Sequence, residues 1–136
     1  MIDAIRNFFG ENFGGAAANL GTSSFAHKDT PNLSGKVAVV TGGSEGIGFA
    51  VMHTLLQHDI SKLYMLSLSE EKSKNAKVTI ADGMGQTIAD KIVWMQCDLS
   101  NWTRVEEVAQ QIKESSTRLD ILINNAGRGI MSYQLT

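Results

Sequence analysis

Residues 36–51, KVAVVTGGSEGIGFAV, put a β-branched run directly before a turn and helical spacing directly after it, and the turn holds four glycines within 42–48. This feature restricts the fold more than any other. The chain must leave a buried strand, reverse sharply, bring bare backbone against an anion and begin a helix packed closely on the strand. Each of those tasks excludes a Cβ, which accounts for Gly42, Gly46 and Gly48. The helix then presents N–H groups without intrahelical partners and the positive end of its dipole, both suited to phosphate. The spacing is G-x-x-x-G-x-G, which differs from the general dinucleotide fingerprint G-x-G-x-x-G, and no Lys-Ser/Thr pair follows the last glycine as a P-loop requires. A glycine-rich turn alone is weak evidence for a ligand. Its weight comes from its surroundings.

From Lys36 onward, strand and helix patterns alternate. KVAVVT (36–41) is polar only at its ends, as in a strand covered on both faces. Ile47, Val51 and Leu55 follow at helical spacing, flanked by Ala50 and Leu56. KLYMLSL (62–68) is a second strand, and Glu70 to about Asp90 is a charged helical stretch interrupted by Gly83 and Gly85. KIVWMQCD (91–98) is a third strand. Ser100 is then placed to cap a helix whose Val105, Val108, Ala109 and Ile112 fall at i, i+3, i+4 and i+7. LDILINNAG (119–127) is a fourth strand running into turn residues. Such alternation predicts an α/β fold: a partial doubly wound (Rossmann) parallel sheet of about four strands in order 3-2-1-4, with right-handed crossovers and helices on both faces. Residues 1–35 read as a loosely ordered arm and 36–136 as a Rossmann portion that stops short of a complete sheet.

Composition narrows the partners. With 43% apolar and 19% charged residues and a net charge of -2, the 136-residue chain is ordinary for a soluble globular protein. No basic run points to nucleic acid or an anionic membrane. The single cysteine, Cys97, excludes an intramolecular disulfide framework and fits a reducing compartment, so a cytoplasmic location is expected. No apolar run approaches the roughly 20 residues needed to span a bilayer. In the arm, Ile2, Ile5, Phe8 and Phe9 could form one or two amphipathic turns, which leaves peripheral or organellar association open, although Asp3 and Glu11 argue against a transit peptide. The plainer reading is an arm packing its Phe residues on the domain.

Three segments now stand together: Thr41-Gly42-x-x-x-Gly46-x-Gly48, Asp98-Leu99 after the third strand, and Asn124-Asn125-Ala126-Gly127 after the fourth. In this order and at this spacing, over residues 36 to about 130, the sequence resembles the short-chain dehydrogenase/reductase family and is similar to uncharacterised fungal members. The resemblance implies an NAD(P)-binding fold and hydride transfer between the cofactor and a carbonyl or alcohol. It implies that Gly42, Ser44, Gly46, Ile47 and Gly48 surround the pyrophosphate. Asp98 would meet the adenine amino group with Leu99 beside it, and Asn125, Ala126 and Gly127 would line the adenosine ribose. Each also has a structural reading: Asp98 as a cap of the following turn, Asn124 and Asn125 as partners for backbone groups at a strand end. NAD-dependent members carry an acidic residue at the end of the second strand, about 20 positions after the turn. Here stand Ser67-Leu68-Ser69, with Glu70 and Glu71 displaced into the helix. The lack of a carboxylate removes the main repulsion against a 2′-phosphate, to which Ser67 and Ser69 could donate and Lys72 or Lys74 could offer charge. Against this, members preferring NADP often carry an arginine where Leu68 stands, or in the turn where this chain has Glu45. NADP(H) is favoured over NAD(H).

The family's proton transfer uses a Tyr-x-x-x-Lys pair with a serine and an asparagine. Tyr133 is followed only by Gln134, Leu135 and Thr136, so it is given no catalytic role and no catalytic residue is assigned. The expected function is thus the cofactor-binding part of a short-chain oxidoreductase, inactive at this length. The alternative is a non-catalytic nucleotide-binding or interaction module. Another Rossmann enzyme, such as an epimerase or methyltransferase, is disfavoured by Asn-Asn-Ala-Gly. His53 and His58 are five apart, wrong for one helix face, and His27 lies in the arm, so no metal site is expected. Cys97 reads as a small buried hydrophobe, and Met65, Trp94 and Met95 as core.

Overall fold

The structure, a computed structural model, describes residue 26 and residues 29–127. Most of the expected arm, including His27, and also Tyr133 therefore lie outside the described residues. Two units divide the chain, residues 1–30 and 31–136, and all elements below belong to the second. They run β1 (Val37–Thr41), α1 (Gly46–Gln57), β2 (Lys62–Ser67), α2 (Glu70–Met84), α3 (Gln86–Ala89), β3 (Ile92–Gln96), α4 (Trp102–Ser115) and β4 (Ile121–Ile123). All pairings are parallel and the order is β3-β2-β1-β4, the order 3-2-1-4 that the alternation predicts. Val39 pairs with Tyr64 on one side and Leu122 on the other, which makes β1 the central strand.

Strand alternation divides the core in two. Ala38, Val40, Leu63 and Met65 face α1 and α2, packing with Met52, Leu56, Ala76 and Ile80. Val37, Val39, Tyr64 and Leu66 face the opposite way and pack with Val108 and Ile112 of α4. Helices thus cover both faces, and each strand of the centre is buried on both, which explains its unbroken apolar run.

Four local expectations are corrected. The buried stripe of α1 is Gly48, Met52, Leu55 and Leu56. Ile47 is exposed and Val51 only half-buried. The helix is rotated because Gly48, with no side chain, sits against the sheet and brings Met52 down one turn later. In α2 the helix runs through Gly83 and breaks at Gly85 alone. Asn101, not Ser100, caps α4: its side chain accepts the Arg104 N–H, while the Ser100 hydroxyl donates to Asp98 at 2.7 Å. Of the α4 stripe, Val108 and Ile112 are buried and Val105 half-buried, but Ala109 is exposed. It borders a groove of about 660 Å³ between α4 and the sheet, lined also by Leu119 and Leu122.

At the amino ends of β1 and β4 a carboxylate fixes the register. Asp120 accepts the Val37 N–H at 2.9 Å and is paired with Lys36 and Arg118, while its own N–H donates to the Val37 carbonyl. The Arg118 guanidinium, followed by the Val37 N–H, holds this carboxyl far below the ordinary value of 3.8. A carboxylate whose folded pKa is depressed contributes stability above its unfolded pKa and loses it as pH falls toward the folded value. Asp120→Asn should therefore lower the urea midpoint near neutral pH, and the gap from wild type should shrink as pH drops below 3.8. Urea melts near neutrality and at about pH 2 measure it; a gap of constant size would contradict this account of Asp120.

Candidate functional site

The site grows from the carboxyl ends of β1 and β4. Thr41 closes β1 and is 5% exposed, and its hydroxyl ties the two strand ends together. Oγ1 accepts the N–H groups of Asn125 and Ala126, each at 3.0 Å, and donates to the Ile123 carbonyl. Asn125 reciprocates, its Nδ2 donating to the carbonyls of Thr41 (3.1 Å) and Gly42 (3.3 Å). The second asparagine of Asn-Asn-Ala-Gly thus serves the backbone of the glycine turn, the structural reading open to it. Asn124 is exposed and borders the groove beside β4.

Three glycines of the turn carry out three different tasks. Gly42 has φ +65, and a Cβ there would stand 3.1 Å from both the Ala126 Cα and the Asn125 Nδ2. Gly48 has no room at all: a Cβ would overlap the Gly42 carbonyl oxygen and stand 2.5 Å from Asn125 Nδ2. Gly46 is the opposite case, with φ +55 and nothing within 4 Å of where its Cβ would be. Turn, close packing and an open approach to bare backbone are thus separated onto Gly42, Gly48 and Gly46. Gly43, passed over in the sequence, is buried, and a Cβ on it would stand 2.5 Å from Met52 Sδ and 3.0 Å from Met65 Cγ. The α1 N-terminus faces this opening. Its N-cap residue, Glu45, makes no side-chain capping bond, and no acidic residue lies in its first turn. Ser44 is half-buried and Ile47 is 54% exposed at the mouth. The donor set and the cradle at Gly46 fit a diphosphate.

The rim beside β2 differs from expectation at one residue. Ser67 is buried, its hydroxyl 2.5 Å from the Ser73 hydroxyl and accepting the Trp94 Nε1–H at 2.8 Å. It is turned into the core and does not offer a donor to the crevice. Leu68 is 55% exposed, and the Ser69 hydroxyl caps α2 by accepting the Lys72 N–H. The Lys72 ammonium reaches back across the rim to Glu45 Oε2 at 2.7 Å, and Lys74 pairs with Glu70. Beyond β3, Asp98 Oδ1 accepts both the N–H and the hydroxyl of Ser100, so this carboxylate shapes the turn into α4. Asp98, Leu99, Ala126 and Gly127 are all exposed at the same carboxyl end.

Other reactive groups are structural. Cys97 is 3% exposed, and burial pushes its thiol up, against the pull of Arg104. Tyr64 is buried on the α4 face, its hydroxyl 2.7 Å from Ser115 Oγ, under the Lys62 ammonium. Burial raises this phenol, but Lys62 and Ser115 outweigh it and the net shift is downward. Among the described residues no three His, Cys, Asp or Glu side chains converge on a metal position, and no helix is long and apolar enough to cross a membrane.

Comparison with known proteins places this geometry. The short chain dehydrogenase family model matches residues 36–135. The inferred mitochondrial oxidoreductase bli-4 of Neurospora crassa is 54% identical over 135 residues, covering 99% of this chain and 33% of its own length. The short chain dehydrogenase/reductase dpchH of Colletotrichum higginsianum is 34% identical over 88% of this chain and 29% of its own. The chain spans about a third of the length of these curated relatives. Among solved structures, menthone neomenthol reductase from Mentha piperita matches with a TM-score of 0.63 and 32% identity, over 68% of this chain and 32% of that one. A Shigella flexneri short chain dehydrogenase complexed with NADP matches with a TM-score of 0.62 and 26% identity, over 73% and 41%. The family match takes in the glycine turn, Asp98 and the Asn124–Gly127 segment in one unbroken run, and the chain belongs to the short-chain dehydrogenase family.

Proposed function

We propose that residues 36–127 hold the dinucleotide of an NAD(P)-dependent oxidoreductase, with NADP(H) preferred. The observation that carries this reading is the division of labour among Gly42, Gly46 and Gly48 at a helix N-terminus, where β1 lies between β2 and β4. In open α/β sheets the ligand crevice lies outside the strands' carboxyl ends, where the strand order reverses. There, the N–H groups of residues 46–48 receive the pyrophosphate, with Ser44 and Ile47 at its sides. Asp98 accepts from the adenine amino group, Leu99 lies beside the ring, and the Asn125–Gly127 backbone borders the adenosine ribose. Asn125 acts through its hold on the turn, because its amide is already engaged by two carbonyls.

When bound, the cofactor supplies a hydride for exchange with a carbonyl or alcohol substrate. The residues described here bind and orient it. None of them is assigned proton transfer, which we place in the part of the longer protein that its relatives' length implies. The NADP preference rests on the end of β2, where Ser67-Leu68-Ser69 supplies no carboxylate. With the Ser67 hydroxyl turned inward, Ser69 and either Lys72 or Lys74 are the groups left to meet a 2′-phosphate. Two structural neighbours carry NADP, the Shigella dehydrogenase and the C-domain of a bacterial malonyl-CoA reductase, the latter with a TM-score of 0.63 and 28% identity. For location, the buried Cys97 suits a reducing compartment, and the mitochondrial designation of bli-4 makes the mitochondrion the alternative to the cytoplasm, to be decided by fractionation.

Titration of NADPH and NADH onto the purified protein, followed by nicotinamide fluorescence, tests the reading. Saturable binding of both is expected, with NADPH several-fold tighter, on the order of the 1 kcal/mol that one exposed charge contact supplies. Tighter binding of NADH would show that Glu70 or Glu71 reaches the ribose.

A further inference from the structure

The Glu45–Lys72 pair joins two elements that have no other polar side-chain link among the described residues. Glu45 is the N-cap of α1, at the end that receives the pyrophosphate in the reading above. Lys72 lies in the first turn of α2, directly after the β2 end that faces the adenosine ribose. Their 2.7 Å contact therefore bridges the rim between the two halves of the adenosine diphosphate site. Both side chains are more than half exposed, so little stability depends on the bridge and a competing anion can open it. Lys74 is paired just as closely, but with Glu70 of its own helix, and Lys77 donates to the Ile92 carbonyl at the β3 edge, so among these three lysines Lys72 is the one whose partner sits on the glycine turn.

We propose that Glu45 and Lys72 form a clasp that sets how strongly this site discriminates between NADP(H) and NAD(H). The proposal rests on the reading of the turn as a dinucleotide site. A 2′-phosphate carries a charge of about -1.5 to -2 and three strong acceptor oxygens. To take it, Lys72 must leave Glu45, and the freed carboxylate remains beside the phosphate. NAD(H), with a ribose hydroxyl at that place, asks nothing of Lys72 and leaves the clasp closed. Glu45 therefore restrains NADP binding by occupying the Lys72 ammonium. The preference of the wild type is accordingly modest, and it can be moved in either direction without touching the glycines.

The test titrates NADPH and NADH onto wild type, Glu45→Gln, Lys72→Gln and the double variant, by nicotinamide fluorescence. Displacement by 2′,5′-ADP and by 5′-AMP isolates the phosphate from the nicotinamide. Glu45→Gln should bind NADPH and 2′,5′-ADP about tenfold more tightly, while NADH and 5′-AMP change less than about twofold. Lys72→Gln should weaken NADPH by a similar factor and leave NADH alone. In the double variant most of the Glu45→Gln gain should vanish, because there is no ammonium left to release. Thermal melts of all four should agree within a few degrees, as the pair is exposed. Equal effects on both nucleotides, or a full Glu45→Gln gain that persists without Lys72, overturns the clasp. Failure of the wild type to bind either nucleotide is a different result, which overturns the dinucleotide reading and the clasp with it.

Discussion

Gly48→Val is expected to destroy both the start of α1 and dinucleotide binding. A Cβ at this position overlaps the Gly42 carbonyl oxygen and crowds Asn125 Nδ2, and neither can yield cheaply. The carbonyl is main chain at the tightest point of the turn, and the amide is held by two hydrogen bonds. The helix must back away from the sheet, lifting Met52, which is fully buried one turn later. Overpacking a side chain commonly costs about 1–3 kcal/mol, and overlap with immobile backbone belongs at or above the top of that range. Displacing the N–H donors by a fraction of an ångström should weaken NADPH by more than about a hundredfold. A thermal melt and a fluorescence titration of the same preparation check both halves. A variant that melts and binds like wild type would mean that Gly48 does not pack as described.

Thr41→Val carries the second large effect, although valine matches threonine in shape. The hydroxyl is the acceptor for the Asn125 and Ala126 N–H groups. Without it two backbone donors lose their partner at a half-buried strand end. A buried donor left unsatisfied costs about 1–3 kcal/mol; Asn125 is half-buried and the exposed Ala126 N–H can turn to water, so a loss of roughly 1–3 kcal/mol is expected in urea unfolding. Thr41→Ser keeps the hydroxyl and should stay within about 1 kcal/mol of wild type. If both variants unfold alike, the hydroxyl is not the tie between β1 and β4.

Much of this architecture was legible because its signals are local. The succession of strands and helices, the turn after β1 and the order 3-2-1-4 follow from apolar periodicity and the rules of doubly wound parallel sheets. The tasks of Gly42 and Gly48 follow from where a reversing chain crowds itself, whereas Gly46 sits in open space and is set apart by its positive φ. What escaped depends on partners distant in sequence or on a choice between equals. Gly43 is constrained by Met52 and Met65, one on the next helix and one on the next strand, which no local pattern reveals. Ser100 and Asn101 are both good caps, and Asp98 decides between them by taking the Ser100 hydroxyl. Ser67 could have been placed: it shares strand parity with Leu63 and Met65, which face the α1 and α2 side, and so its hydroxyl belongs inside. Its polarity suggested a ligand where the period of two pointed to the core.

The central claim is that bare backbone at Gly46 meets the pyrophosphate, and Gly46→Asp tests it most directly. Aspartate tolerates a left-handed backbone better than most residues, and the space around this position is empty. A carboxylate at a helix N-terminus also interacts favourably with the dipole, so the thermal melt should stay within a few degrees of wild type. The same carboxylate would stand where the diphosphate has to lie. Titration of NADPH, with 2′,5′-ADP as a displacing probe, should show binding weakened at least about tenfold in a protein that melts normally. Unchanged affinity in that folded variant would place the dinucleotide elsewhere and contradict the account.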